Sequence, residues 1–123
     1  MKSSALKAAL AGAAALAIAV SINAPAFAIN KTSKNCIYRN PDQLLYIENY
    51  QGTNQHCFAN AGFLNGLAIY GVNYIDPGRN RVSIWYYETV NSPSQSRMIL
   101  EPGRPYDPYP KPPIHAITAI EIF

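Results

Sequence analysis

The side chains able to do chemistry are few: Cys36 and Cys57, His56 and His115, and seven carboxylates. A nucleophilic Ser or Cys needs a base within hydrogen-bond reach, and nothing in the spacing marks either histidine as that base. His56, next to Cys57, reads as structural or solvated. Glu48, Asp76, Glu88, Glu101 and Asp107 could be paired for glycoside hydrolysis, but any seven acids permit such pairs. No catalytic residue and no cofactor is therefore expected, and the chain reads as a non-enzyme. A metal site is not expected either, because two histidines and no CxxC spacing give a poor ligand set. Non-covalent recognition is better supplied, with nine tyrosines and one tryptophan. An aromatic ring packs flat on the C–H face of a sugar, so rings held outward on strands form a carbohydrate platform. The candidates are Tyr74, Trp85 and Tyr87, with Tyr106 and Tyr109 behind them.

The compartment follows from the first 28 residues. Lys2 and Lys7 form a basic start, Ala8 to Ile22 is almost wholly apolar, and Pro25 precedes the small-x-small run Ala26-Phe27-Ala28. That pattern is a cleavable export signal over 1–28, and the alternative is an uncleaved anchor. The mature domain would run over 29–123, about 95 residues and one small domain. Losing Lys2 and Lys7 leaves eight basic against seven acidic residues. A near-neutral secreted chain with no basic run argues against nucleic acid and against membrane insertion. An even pair of cysteines in an exported chain reads as a Cys36–Cys57 disulfide, with two free thiols or a metal site as alternatives. The loop it closes holds about twenty residues and is worth roughly 3 kcal/mol in the chain-entropy model.

The elements that must position these residues read as all-β. Tyr, Val and Ile runs are broken by Gly, Pro, Asn and Ser every eight to twelve residues. Strands are predicted over 44–48, 55–59, 67–74, 82–89, 97–100 and 116–123, with turns at Asn60-Ala61-Gly62, Asp76-Pro77-Gly78 and Asn91-Ser92-Pro93. A short helical turn fits 62–66. Alternation puts Val82, Ile84 and Tyr86 toward the core and leaves Trp85 and Tyr87 outward, unless the lone Trp fills the core. The faces of the last strand stay ambiguous. Six prolines between Pro102 and Pro113 cannot donate to a ladder. They predict an extended surface loop, either a plain connector or a stiff arm displaying Tyr106 and Tyr109.

Three runs carry a family resemblance: Cys57-Phe58-Ala59-Asn60-Ala61-Gly62, Ala68-Ile69-Tyr70-Gly71-Val72-Asn73-Tyr74, and the ending from Ile114 to Phe123. With the start Ile29-Asn30-Lys31-Thr32, they resemble a group of small secreted Streptomyces proteins, killer-toxin-like and antifungal chitin-binding, of the βγ-crystallin superfamily. The resemblance covers nearly the whole mature chain. It implies a βγ-crystallin-like sandwich of two Greek-key motifs, and antifungal action through chitin in the fungal wall, by a protein expected to be a monomer. Some members of the superfamily bind calcium through an Asn/Asp-x-x-Ser-Ser element, which here falls on Asn80-Arg81-Val82-Ser83-Ile84 after Arg79. Arg and Ile supply no oxygen ligand from their side chains, so no significant calcium binding is expected. Two other functional classes are open to this chain: a secreted proteinase inhibitor, since the proline-stiffened segment from Arg104 to Pro113 has the preorganised character an inhibitory loop needs, and a purely structural envelope protein.

Overall fold

Period-two alternation and β-branched residues fold the chain into seven antiparallel strands over residues 28–123, the part that the computed structural model describes. The expected signal peptide lies, but for Ala28, outside these residues. The strands are β1 (Asn30–Thr32), β2 (Leu45–Asn49), β3 (Asn54–Ala59), β4 (Gly62–Asp76), β5 (Val82–Tyr87), β6 (Ser96–Leu100) and β7 (Ile114–Ile122). They form one hydrogen-bonded sheet in the order β1-β3-β2-β4-β7-β5-β6. The order is a duplicated pattern. The hairpin β2–β3 is followed by β4, which returns beside β2, and the hairpin β5–β6 is followed by β7, which returns beside β5. Each return is of Greek-key type. Pairing of β4 with β7 makes the two halves continuous, so the expected two-motif, all-β single domain is present.

Both halves face one core. Leu45 and Ile47, Phe58, Val72 and Ile75, Val82 and Ile84, and four isoleucines of β7 form a single buried cluster. In β7, strict alternation would put Ile117 and Ile120 on opposite faces. A register shift resolves this: Trp85 pairs with Ala119 but Tyr86 pairs with Ile117, leaving Thr118 as an extra residue. That bulge returns Ile117 and Ile120 to the same buried side.

Three expectations need correction. β1 had no signal, being only three residues on the free edge of β3. The strand expected over 67–74 is fifteen residues long, and no helical turn occupies 62–66. Gly62 and Gly66 look like punctuation, yet Gly62 opens the strand and Gly66 lies inside it. Gly66 and Gly71 take φ of 76° and 64°, bending β4 without ending it. Lastly, the proline-rich segment is not a free arm. Tyr106 N donates to the Ile75 carbonyl (2.7 Å), Ile75 N donates to the Tyr106 carbonyl (2.9 Å), and Gly103 N donates to the Gly78 carbonyl (2.8 Å). Only the non-proline positions can donate such bonds, and Gly103 and Tyr106 are the ones that do so here.

Candidate functional site

β2 and β4 build the floor of a cleft of about 570 Å³. Their register sets Glu48 opposite Tyr74 and Asn49 opposite Val72, which leaves Asn73 unpaired. The extra residue turns both Asn73 and Tyr74 away from the core side held by Val72 and Ile75. Glu48 is then fixed from two directions. The Tyr46 hydroxyl donates to Oε1 (2.8 Å) and Asn73 Nδ2 donates to Oε2 (2.8 Å). Asn73 Oδ1 accepts from Gln51 N at 3.0 Å, locking the amide. The polar floor is therefore preorganised, with little left to order when a ligand arrives.

Aromatic rings wall this floor. Tyr38 lies 5.5 Å from Tyr74, centroid to centroid, and buried Tyr46 sits 6.4 and 6.3 Å from the two. Tyr38 is held there by its neighbour Cys36, which is disulfide-bonded to Cys57 of β3 with the two Cα atoms 5.5 Å apart. Such a bond belongs to a chain that matures in an oxidising compartment. The opposite wall is the proline-rich segment. Tyr109, 83% exposed, donates its N–H to Asp107 Oδ1 at 3.0 Å, and Lys111 closes the rim. Burial is the main cause that pushes the Tyr74 phenol up to about 12, with the charge of Asp76 and a hydrogen bond to Tyr38 adding to it. Tyr46 is raised further still, by burial and then by its bond to Glu48. Both phenols are neutral hydrogen-bonding groups at any physiological pH. Rings for apolar C–H faces beside amides, phenols and a carboxylate for hydroxyls suit a sugar.

A second surface lies on the outer side of β5, β7 and the first half of β4. Trp85 meets Phe63 edge-to-face at 5.5 Å, and the Arg97 guanidinium lies 5.0 Å from its ring centroid. Arg97 is held by donating Nε–H to the buried Ser83 Oγ at 2.9 Å. Trp85 and Phe63 line a hollow of about 310 Å³ with Asn65, Gln95 and Thr118. Tyr70, Tyr87 and His115 line its neighbour, about 300 Å³, which also reaches Thr118. The Tyr70 ring lies 5.5 Å from the His115 ring.

The five sequence-predicted rings therefore divide. Tyr74 and Tyr109 meet in the cleft. Trp85 and Tyr87 stand in adjoining hollows on the outer face, half-buried, so Trp85 neither fills the core nor projects freely. Tyr106 is a correction: its side chain packs against the core and its backbone pins the loop, so it anchors the cleft wall. Tyr38, Glu48, Gln51 and Asn73 were missed. Tyr38 could have been found through Cys36, since a disulfide to β3 brings the residues after it toward β2. Asn73 could not, because an unpaired residue in a long strand leaves no local signal.

No protein-family model matches the chain, and no curated protein matches it. Among solved structures it is similar to the NMR average structure of the antifungal protein from Streptomyces tendae Tü901, at 31% identity and a TM-score of 0.65. The match covers 78% of this chain and 100% of that one.

Proposed function

Since the chain belongs to the family of the Streptomyces tendae antifungal protein, we propose that it is itself an antifungal protein that binds chitin in the fungal cell wall and disturbs wall growth. It acts outside the cell after losing residues 1–28, as a monomer, and without catalysis. The observation that carries this reading is the cleft in which Tyr38, Tyr74 and Tyr109 wall a polar floor of Asn73, Glu48 and Gln51. Both Glu48 oxygens already accept hydrogen bonds, which suits holding a ligand better than attacking one. The fold is βγ-crystallin-like and all-β, and its disulfide suits life outside the cell.

The test is a pulldown on chitin, β-glucan, cellulose and mannan, beside a hyphal growth assay and a panel of secreted proteases. The expected result is retention on chitin, with Tyr109→Ala weakening both retention and growth inhibition. Protease inhibition without retention on any polysaccharide would replace this reading with that of a proteinase inhibitor.

A further inference from the structure

The cleft and the outer groove share no lining residue, yet one strand carries both. Phe63 and Tyr70 stand outward on the first half of β4, 54% and 46% exposed, and Asn73 and Tyr74 stand outward near its end. Between them, at Gly71, β4 has no side chain, and the space is filled from the turn that follows β2. The Tyr50 ring lies so close over Gly71 that a Cβ there would meet its carbons at 3.1 Å. Tyr50 N donates to the Gly71 carbonyl at 3.0 Å, and the residue remains 52% exposed. Its neighbour Gln51 already belongs to the cleft through the bond to Asn73. Rings thus follow one another along β4 as Phe63, Tyr70, Tyr50 and Tyr74. Trp85 and Tyr87 lie beside the first part of the row, and Tyr38 and Tyr109 lie at its far end.

We infer that cleft and groove are the two ends of one track along β4, and that the ligand is an extended polysaccharide strand lying along it. This rests on the reading that the protein binds wall polysaccharide. From Phe63 to Tyr74 the strand would span roughly 35 Å at about 3.3 Å per residue, before its bends shorten it. The lining alternates in kind along the row: Phe63 and Trp85 have Asn65, Gln95 and Thr118 beside them, Tyr70 and Tyr87 have Ser92 and His115, and Tyr74 and Tyr109 have Asn73 and Asp107. Repeated rings each flanked by hydrogen-bonding groups fit a polymer of repeated apolar faces and hydroxyls. An apolar peptide or a lipid tail would leave those polar groups unpaired. Many weak contacts on one ligand then sum, as multivalent contacts do.

The test titrates the intact mature protein with soluble N-acetylglucosamine oligomers of increasing length and with solubilised chitin polymer. Affinity is expected to keep rising from the trimer through the longest oligomer to the polymer. In Tyr50→Ala and in Phe63→Ala, each checked for an unchanged near-UV spectrum, the ratio of polymer to trimer affinity is expected to fall about tenfold, near the low end of what one stacked ring contributes. Tyr109→Ala should instead weaken trimer and polymer together. The track is overturned if trimer and polymer bind equally well, or if the folded Tyr50→Ala and Phe63→Ala proteins keep the wild-type ratio. Failure of the wild-type protein to bind any of these ligands would instead sink the chitin reading itself.

Discussion

Asn49 is buried with its amide committed twice: Nδ2 donates to the Tyr70 carbonyl at 2.9 Å, and Oδ1 lies 3.1 Å from His56 Nε2. An amide oxygen only accepts, so His56 carries its proton on Nε2. Nδ1 is left bare and buried, with no hydrogen-bond partner among the described residues. Burial first, and then the charge of Lys31, lower the His56 pKa below its ordinary 6.5. A proton arriving on Nδ1 would find no acceptor. The sign follows from linkage: the unfolded chain takes up a proton near 6.5 while the folded one resists, so stability is lost as pH falls below that value. Thermal melts at descending pH should show Tm dropping through this range, and His56→Gln should flatten that slope. Tyr74 works at the other end of the scale. Its folded pKa is raised to about 12 from 10.0, so its contribution is complete below 10 and is lost as pH climbs from 10 toward 12. Tyr74→Phe should reduce the loss of Tm in that window. A spectrophotometric phenol titration should find Tyr74 and Tyr46 ionising after the exposed tyrosines.

β4 and the loop before β7 are the elements that decide the site, and they were unequally legible. Strand identity came readily from alternating Val, Ile and Tyr, and the core parity of Val82, Ile84 and Tyr86 needed no tertiary knowledge. The glycines of β4 misled, because Gly66 at φ 76° and Gly71 at φ 64° can equally end a strand or bend one. Only pairing with β7 distinguishes the two. In the loop, prolines correctly forbade a ladder, but nothing local revealed that Tyr106 between them would bond to Ile75 from both backbone groups. Tyr106 packs its ring on the core while Tyr109, three residues on, is exposed. The two substitutions should therefore differ in kind. Tyr106→Ala should cost about 1–3 kcal/mol of stability, part of the full cost of truncating a buried ring, and should weaken chitin binding by freeing Asp107 and Tyr109. Tyr109→Ala should leave Tm unchanged within error and weaken binding alone. Equal losses of stability in both variants would mean that the loop has no anchor distinct from its tip.

At the scale of the whole molecule, two Greek-key halves meet at the β4–β7 pairing, and the candidate rings are distributed over both halves. Sequence reading found Tyr74 and Tyr109 but not the rest of the cleft, because its members come from far apart: Tyr38, Glu48 and Tyr74 are brought together by the β2–β4 register and by one covalent tie. That tie links folding to function in a measurable way. Cys36 and Cys57 are 21 residues apart, and closing a loop of this size constrains the unfolded chain by about 3 kcal/mol in the entropy model. A domain this small holds only about 5–15 kcal/mol in total, so the bond is a large share. The intact mass of the purified protein should fall two hydrogen atoms short of the fully reduced chain, and alkylation without reductant should label no thiol. Reduction should lower stability by about 2–4 kcal/mol. Cys36 lies outside the core strands, and Cys57, though buried in β3, can be replaced by an apolar residue, so the paired variant Cys36→Ala with Cys57→Ala should still fold at low temperature, while the segment carrying Tyr38 comes loose from β3. Chitin binding should then weaken at temperatures where the near-UV signal of the core is intact. Full-strength binding by the folded double variant would show that Tyr38 contributes nothing to holding the ligand, leaving that role to Tyr74 and Tyr109.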